Sequence, residues 1–261
     1  MLDINIGDVT AAYEGAVGII WEMLMGEQIH VGGKEETDVL AERAGVNAGT
    51  RVLDVLSGLG GPARHLARIY GATVVGLDAT GRLVDEAVAR TANDGHGDRV
   101  TFRLGNALDM PFKSGSFDVV WGQDSWCYVT DKDRLIRECR RVAAPGATIA
   151  FTDWIQTGPM SDEERHSLNG FMLFPYMETL NGYKNLLLRH GFFVKECEDL
   201  SEGFASQMHR YRDALESDLA DRIIELFGED VCLDMVRGID LWARAADEGK
   251  VGRGRFIGRK Q

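Results

Sequence analysis

The sequence predicts an α/β protein built on a doubly wound, mainly parallel sheet of seven strands. Three observations predict this fold class. Apolar, β-branched runs alternate with amphipathic helical segments from residue 50 onward, a glycine-rich turn follows the first run, and the 261 residues suffice for one large domain with additions. Repeated strand–helix units give parallel strands joined by right-handed crossovers.

The first strand–helix unit carries the clearest pattern. TRVLDVL at 50–56 is almost continuously apolar, which indicates a strand buried on both faces. GPARHLARIYG at 61–71 follows as a helix, with Pro62 in the first turn, where a missing N–H is harmless.

The later elements follow the same alternation of strand and helix. Further strands are predicted at 72–78, 99–106, 117–123, 147–154, 192–201 and 250–260. Helices are predicted at 81–94, 131–143, 182–191, about 206–227 and about 229–248. Residues 10–26 also carry apolar side chains at helical spacing. The stretch 155–185, polar and then rich in aromatics and methionine, predicts an insertion over the carboxyl edge of the sheet.

Composition narrows the class of partner. Lysine and arginine total 29 against 41 acidic residues, a formal charge of −12, which argues against a nucleic-acid partner. No apolar run reaches the roughly 20 residues of a membrane span, and the N-terminus lacks a signal-peptide pattern. We therefore expect a cytoplasmic protein without a membrane partner. Four widely spaced cysteines, at 127, 139, 197 and 232, predict reduced thiols and no metal site.

The glycine turn alone leaves the cofactor open. Gly58, Gly60 and Ala63 satisfy G-x-G-x-x-[GA], and Asp78 ends the next strand, a pattern that suits dinucleotides and methyl donors alike. Asp54 lies inside the first strand, where a carboxylate suits a cationic ligand such as a sulfonium with an α-amino group.

Two downstream motifs favour the methyl donor. GNALDMPF at 105–112 would place Asn106 and the backbone around Ala107 at an adenine edge. FDVVWGQDSW at 117–126 ends with Gln123, Asp124 and Trp126, all expected to point into the crevice where the strand order reverses.

Taken in order, these motifs over about residues 50–155 resemble the class I S-adenosylmethionine-dependent methyltransferases. GEQIHVGG at 26–33, QDSW at 123–126 and the segment 235–260 are similar to the sarcosine/dimethylglycine N-methyltransferase group. The resemblance implies a Rossmann-like domain at 50–261 and S-adenosylmethionine as cofactor, with S-adenosylhomocysteine as product. It also implies an N-terminal helical lid at 1–49 and acceptor-covering insertions near 155–185 and 201–248.

The resemblance also assigns site residues. The predicted cofactor-binding residues are Asp54, Ser57, Gly58, Gly60, Asp78, Ala79, Asn106, Ala107, Leu108, Gln123 and Tyr13. The predicted catalytic residues are Asp124, His30 and Trp126, with Asp124 or His30 taking a proton during transfer. Aromatic rings attract methylammonium groups, so Tyr13, Trp21 and Trp126 are candidates to enclose the acceptor.

Two positions depart from the family pattern. Leu56 stands where the loop usually has its first glycine, and Asn106 replaces a frequent aspartate. Leu56 is compatible with cofactor binding if it keeps ordinary β geometry, with the close approach to the cofactor left to Gly58 and Gly60. An amide at position 106 can still hydrogen-bond adenine.

The predicted function is methyl transfer to a small soluble acceptor, with an amine of the sarcosine/dimethylglycine type as the leading candidate. A thiol, hydroxyl or carbon acceptor stays open, because the insertion that selects it is the least informative region. A nicotinamide oxidoreductase and a cofactor-binding module without turnover also stay open, with less support from the motifs. Whether the chain forms a homo-oligomer is open as well.

Overall fold

A single twisted sheet organises the protein, whose computed structural model describes residues 2–94 and 97–261. The strands are β1 (Arg51–Val55), β2 (Thr73–Asp78), β3 (Val100–Leu104), β4 (Phe117–Gln123), β5 (Ala143–Gln156), β6 (Glu178–Thr179), β7 (Phe192–Asp199) and β8 (Val251–Lys260). Their order is β3-β2-β1-β4-β5-β8-β7, and the two-residue β6 pairs with the end of β5. The first five strands are parallel, whereas β8 runs antiparallel between β5 and β7. The predicted fold class is confirmed.

Helices cover both faces and one edge of this sheet. They are α1 (Ile6–Glu14), α2 (Ala16–Met25), α3 (Gly33–Ala44), α4 (Gly61–Tyr70), α5 (Gly81–Asn93), α6 (Lys132–Val142), α7 (Asp162–Met172), α8 (Leu180–Arg189), α9 (Phe204–Glu216), α10 (Ala220–Phe227) and α11 (Glu229–Asp247). Short 3₁₀ turns lie at Gly26–Gln28 and Trp126–Tyr128. No helix in the described ranges is both long and apolar enough to cross a membrane.

Three predicted boundaries differ from the structure. The helix predicted at 206–227 divides into α9, which ends at Glu216, and α10, which begins at Ala220; the Ser217 hydroxyl donates to the Asp213 carbonyl between them. The apolar segment 10–26 divides at Gly15 into α1 and α2. Strand β5 begins at Ala143, before Pro145, because a shift in the β4–β5 register accommodates the proline.

Three apolar clusters hold these layers together. One packs α6 and α8 on a face of the sheet, and a second packs α3 and α4 on the opposite face. The third joins α2, α7, α9, α10 and α11 with Trp154 from the carboxyl-terminal part of β5. Helical segments from both ends of the chain therefore meet where the parallel strands end, the edge at which such sheets bind ligands. A division into a lid at 1–49 and a domain at 50–261 stays a prediction.

Candidate active site

A cavity of about 270 Å³ lies at the carboxyl ends of β1, β2 and β4. This is the position where the strand order reverses, between β1 and β4. Residues from α1, its N-cap Asn5 and the 3₁₀ turn at 26–28 border it on one side, and we call residues 5–14 with residues 26–29 the cavity roof. The roof residues that line the cavity are Asn5, Ile6, Val9, Thr10, Tyr13, Gln28 and Ile29.

The glycine turn forms one wall of the cavity. Gly58 has φ of 52°, and no described atom lies within 4 Å of the Cβ it lacks, so its backbone is open to the cavity. Gly60 does not line the cavity; a Cβ there would lie 2.3 Å from the Phe102 ring. Gly60 therefore packs the turn onto β3.

Leu56 adopts a left-handed backbone, so the condition of ordinary β geometry is not met. Its φ is 63°, its N–H donates to the Leu77 carbonyl over 2.8 Å, and its side chain lines the cavity. A leucine in this conformation is strained by roughly 1–2 kcal/mol. Ile29 (φ 46°) and Asp124 (φ 51°) are also left-handed cavity residues. Backbone strain of this kind gathers at functional sites.

Two carboxylates give the cavity a negative character. Asp54 is buried, its Oδ2 has no hydrogen-bond partner among the described residues, and burial together with nearby Asp78 raises its pKa to about 7. Asp78 accepts the N–H of Gly58 over 2.8 Å and that of Thr80 over 2.9 Å. Burial raises the pKa of Asp78, and these backbone bonds oppose the rise.

The unsatisfied polar atoms around the cavity point to a polar ligand. Five buried atoms lack a partner among the described residues and belong to cavity residues: Gln28 Nε2, Asp54 Oδ2, Ser57 Oγ, Gln123 Nε2 and Ser125 Oγ. Each unpaired buried group costs about 1–3 kcal/mol. A ligand with both donors and acceptors would relieve this cost. Because no Lys, Arg or His lines the cavity in the described ranges, a cationic ligand fits better than a pyrophosphate.

The segment after β3 supplies another wall. Asn106, Ala107 and Leu108 all line the cavity, and the Asn106 Oδ1 accepts the Leu108 N–H over 2.8 Å. This bond folds the segment into a fixed turn beside the end of β2.

A second, smaller space of about 20 Å³ adjoins the cavity, and we call it the aromatic pocket. Its lining is Tyr13, Trp21, Met25, Ile29, His30, Asp124, Tyr128, Trp154, Met172 and Phe174. The Phe174 ring meets those of Tyr128 and Trp154 edge-on, with centroids 4.9 Å and 6.0 Å apart. Tyr13, Ile29, Asp124 and Tyr128 line both spaces, so a group in the pocket lies next to a ligand in the cavity.

Two tyrosines meet at the boundary between the two spaces. The hydroxyls of Tyr13, on the roof, and Tyr128, after β4, lie 2.6 Å apart, and their rings stand edge-on. Burial raises the pKa of both phenols above the usual value, so both are neutral near pH 7. Arg82 on α5 holds the Tyr13 carbonyl over 2.8 Å and thereby fixes the end of α1.

Asp124 is held in an ion pair. The Arg253 Nε lies 2.7 Å from Oδ1 and 2.9 Å from Oδ2, and the N–H of Val31 donates to Oδ2 over 2.9 Å. Arg253 also donates to Thr152 and pairs with Glu36 at 3.2 Å. Asp124 thus joins the segment after the roof to β8, and both its oxygens are already engaged.

His30 is buried at the back of the aromatic pocket. Its Nδ1 lies 3.1 Å from the Val31 carbonyl and its Nε2 lies 3.0 Å from the Thr37 hydroxyl. Burial lowers the pKa of His30 to about 4, so the ring is neutral near pH 7.

Trp126 lies in the core instead of the crevice that the sequence predicts. Its indole is fully buried, stacks on Phe151 at 4.2 Å and donates from Nε1 to the Val55 carbonyl. Gly122 on β4 makes this possible, because a Cβ there would lie 2.2 Å from the indole nitrogen.

Most predicted site residues do come together. Those that line the cavity are Tyr13, Asp54, Ser57, Gly58, Asp78, Ala79, Asn106, Ala107, Leu108, Gln123 and Asp124; His30 lines the pocket, and Gly60 and Trp126 line neither. The sequence interpretation missed Gln28, Ile29, Tyr128, Trp154 and Phe174. Gln28 and Ile29 stand inside the GEQIHVGG motif, and Tyr128 follows QDSW closely, so proximity to these motifs was the available signal.

Gly61 should be sensitive to any side chain, because the roof rests on it. A Cβ at this position would lie 2.3 Å from the Glu27 carbonyl oxygen and 2.8 Å from the Gln28 Nε2. We expect Gly61→Ala to displace the roof and weaken S-adenosylhomocysteine binding about tenfold, with a loss of about 1–3 kcal/mol in the free energy of unfolding. Calorimetric titration and thermal unfolding would measure both effects. Gly170→Ala, within α7, is the control. Wild-type affinity in Gly61→Ala would show that the roof does not enclose the ligand.

Comparison with known proteins identifies the family. A methyltransferase-domain model matches residues 53–151. Sarcosine/dimethylglycine N-methyltransferase of Halorhodospira halochloris is 30% identical over 93% of this chain and 90% of its own length. Methyltransferase GfsG of Streptomyces halstedii is 35% identical over 65% of this chain. The chain spans 62% of the length of GfsG and less than two thirds of several further curated relatives.

A solved structure agrees in fold. A Galdieria sulphuraria protein assigned as a sarcosine dimethylglycine methyltransferase superposes with a TM-score of 0.88 at 20% identity, covering 96% of this chain and 98% of that one. Its likeness shows the fold alone. The motifs, the electronegative cavity and the full-length relative together identify the chain as a member of the class I S-adenosylmethionine-dependent methyltransferases.

Proposed function

We propose that the protein transfers a methyl group from S-adenosylmethionine to a small acceptor held where the cavity meets the aromatic pocket. The pocket has a volume of about 20 Å³ and must widen to admit the acceptor. The observation that carries the proposal is the shared boundary of the cavity and the pocket at Tyr13, Ile29, Asp124 and Tyr128. When bound, the cofactor supplies a methyl group on a positively charged sulfur, which a nucleophile can take by in-line displacement.

Different cavity residues would bind different parts of the cofactor. Asp78 would accept hydrogen bonds from the ribose hydroxyls, and Asp54 would face the cationic amino-acid portion. The open backbone at Gly58 and the hydroxyl of Ser57 would lie along the ligand. The segment 106–108 would border the adenine. The five unsatisfied polar atoms of the cavity support this fit.

Catalysis would rest mainly on positioning. Aligning a nucleophile with the methyl group and excluding water can supply most of the acceleration in such a displacement. The roof would limit the access of water, and the contact between the Tyr13 and Tyr128 hydroxyls would fix the boundary. Arg253 and the Val31 N–H already bond the oxygens of Asp124, and burial lowers the pKa of His30 to about 4, so His30 is a weak base in this arrangement. A neutral amine needs no base before it attacks.

The acceptor class that we propose first is a small soluble amine of the sarcosine/dimethylglycine type. The relative named for those acceptors aligns with nearly the whole chain. The aromatic faces of Trp21, Trp154 and Phe174 suit the methylated ammonium that forms, through cation–π attraction.

A hydroxyl acceptor is the second candidate, and the charge of the pocket favours it. Asp124 is the one carboxylate that the described residues contribute to the lining, and Arg253 already balances it. An uncharged acceptor could therefore enter without the cost of removing a charge from water. Relatives named as tocopherol O-methyltransferases, at 30–39% identity over part of this chain, support the same possibility.

The test is methyl uptake from S-adenosylmethionine followed by mass spectrometry. Sarcosine, dimethylglycine and other amines should be compared with phenols, alcohols and thiols of similar size. A methylated amine as the best product would support the first candidate, and a methylated phenol or alcohol the second. Tight S-adenosylhomocysteine binding without product from any class would contradict methyl transfer and leave a cofactor-binding module.

Tyr13→Phe tests the boundary directly. The change keeps the ring and removes the 2.6 Å hydroxyl contact with Tyr128. A neutral hydrogen bond contributes about 0.5–1.5 kcal/mol, so we expect kcat to fall about tenfold and cofactor affinity to change little. Tyr70→Phe is the control, because its hydroxyl bonds Asp38 outside the cavity. Equal kcat in the two variants would show that the hydroxyl contact between Tyr13 and Tyr128 does not contribute to methyl transfer.

A further inference from the structure

A buried lysine lies beneath the backbone that carries Tyr128. Lys132, at the start of α6, is fully buried, and its Nζ donates to the carbonyls of Cys127 (3.4 Å), Val129 (3.0 Å) and Tyr176 (3.1 Å). The same nitrogen lies 3.7 Å from the centre of the Tyr176 ring. Lysine is rarely buried in this way, because removing its charge from water is expensive.

A buried aspartate holds the same backbone from the sheet. Asp153 on β5 accepts the N–H of Cys127 over 3.1 Å, and its other oxygen accepts the hydroxyl of Tyr183 on α8. Asp153 and Tyr183 are both fully buried. Lys132 and Asp153 therefore hydrogen-bond the backbone of Cys127 and Val129, the residues on either side of Tyr128.

Through Cys127 and Val129 these contacts fix the backbone on both sides of Tyr128, whose hydroxyl touches that of Tyr13 at the boundary of the cavity and the pocket. Val129 itself also lines the cavity. Neither Lys132 nor Asp153 lines the cavity or the aromatic pocket. Two charged groups are thus buried outside the site, and they hold the backbone of residues that line it. They also tie this backbone to the segment 176–183, which belongs to the predicted acceptor-covering insertion.

We propose that Lys132 and Asp153 are positioning residues that set the Tyr128 hydroxyl against Tyr13 and the acceptor. This inference rests on the proposed function, because Tyr128 must contribute to methyl transfer for its placement to matter. Neither residue touches the reacting groups, and each acts through the backbone of residues 127–129.

The positioning by Lys132 and Asp153 should make kcat depend on pH. Burial lowers the pKa of Lys132 to about 8, opposed by the facing groups Asp153, Cys127 and Glu178. Burial raises the pKa of Asp153 to about 6; Tyr183 and Lys132 oppose the rise, Asp124 adds to it, and the Cys127 N–H opposes it. Both groups are charged between about pH 6 and pH 8, so kcat should be highest there. Above this window Lys132 loses its proton, and below it Asp153 gains one.

Double-mutant cycles with Tyr128→Phe test the proposal. We expect Lys132→Met and Asp153→Asn each to lower kcat about tenfold while the S-adenosylhomocysteine Kd stays within threefold. In the Tyr128→Phe background each change should add less than twofold, because the hydroxyl that it positions is gone. Lys113→Met, an exposed lysine, is the control. Asp153→Asn carries the test if Lys132→Met does not fold, since the amide keeps the size of the carboxylate.

Fully additive losses in kcat, or an unchanged kcat in both variants, would overturn the inference. A probe that does not depend on turnover distinguishes failure of the positioning inference from failure of the proposed function. With 3-fluorotyrosine at position 128, the ¹⁹F resonance should shift in Lys132→Met and Asp153→Asn. A shifted resonance in a protein without methyl transfer would refute the proposed function and keep the placement of Tyr128. An unshifted resonance in an active enzyme would refute the positioning role alone.

Discussion

Asp78→Asn will weaken S-adenosylhomocysteine binding by about a hundredfold. Hydrogen bonds to a charged group contribute about 1.5–3 kcal/mol, and the carboxylate would receive such bonds from the ribose. It also accepts the N–H groups of Gly58 and Thr80, which fix the glycine turn and the start of α5. An amide presents one oxygen where the carboxylate presents two, so it can satisfy only part of this set.

Calorimetric titration with S-adenosylhomocysteine would measure the effect, with NAD titrated in parallel. Asp85→Asn is the matched control, because Asp85 is exposed on α5, a few residues along the chain. Wild-type affinity in Asp78→Asn would show that this carboxylate does not bind the ribose. Binding of NAD instead of S-adenosylhomocysteine would contradict the cofactor that the motifs and the cavity indicate.

The affinity for S-adenosylmethionine will fall as the pH drops below 7, by up to tenfold for each pH unit. Without ligand, the pKa of the Asp54 carboxyl is about 7, because it is buried and lies near Asp78. A cationic ligand binds the ionised form, so below pH 7 binding must also release a proton, and above pH 7 it need not. Titrations between pH 5.5 and 8 in two buffers with different ionisation enthalpies would detect that proton.

Asp54→Asn is the companion experiment. The asparagine cannot titrate, so its affinity should be lower than that of the wild type at pH 8 and nearly constant with pH. A pH dependence that persists unchanged in Asp54→Asn would assign the proton to another group. The same raised pKa predicts that the ligand-free fold loses stability as the pH rises from about 4 to 7, because the unfolded chain ionises first.

The fold was readable from the sequence because its signals are local. Near-continuous apolar runs mark β1, β2 and β4, and the glycine turn and the terminal carboxylate of β2 mark the ligand edge. These features depend on residues close together in the chain, so the parallel sheet and most of the cavity wall follow from them.

The aromatic pocket was not readable in the same way. Tyr13, Tyr128, Trp154 and Phe174 come from different parts of the chain, and only the packing of the helical layer brings them together. Trp126 shows the converse: it adjoins a site motif, yet Gly122 opens a place for its indole in the core. Trp126 can turn into the core because Gly122, which packs against its indole, has no side chain.

The backbone conformation of Leu56 could not be predicted from the sequence for a related reason. Its left-handed conformation follows from the turn that carries its N–H and that of Ser57 onto the Leu77 carbonyl. That turn is imposed by the pairing of β1 with β2, and the residue type at position 56 opposes it. Tertiary pairing outweighs a local preference of roughly 1–2 kcal/mol.

The roof has a consequence for the timing of turnover. It rests on Gly61 through Glu27, is tied to α4 by the Glu27–Arg64 ion pair at 2.5 Å, and is tied to α5 through Arg82. We expect a ligand beneath it to dissociate only after these contacts open. S-adenosylhomocysteine should therefore dissociate last in each cycle, and its release should limit the steady-state rate. A burst of product in the first turnover would reveal that slow step, and analogues trapped under the roof should have long residence times.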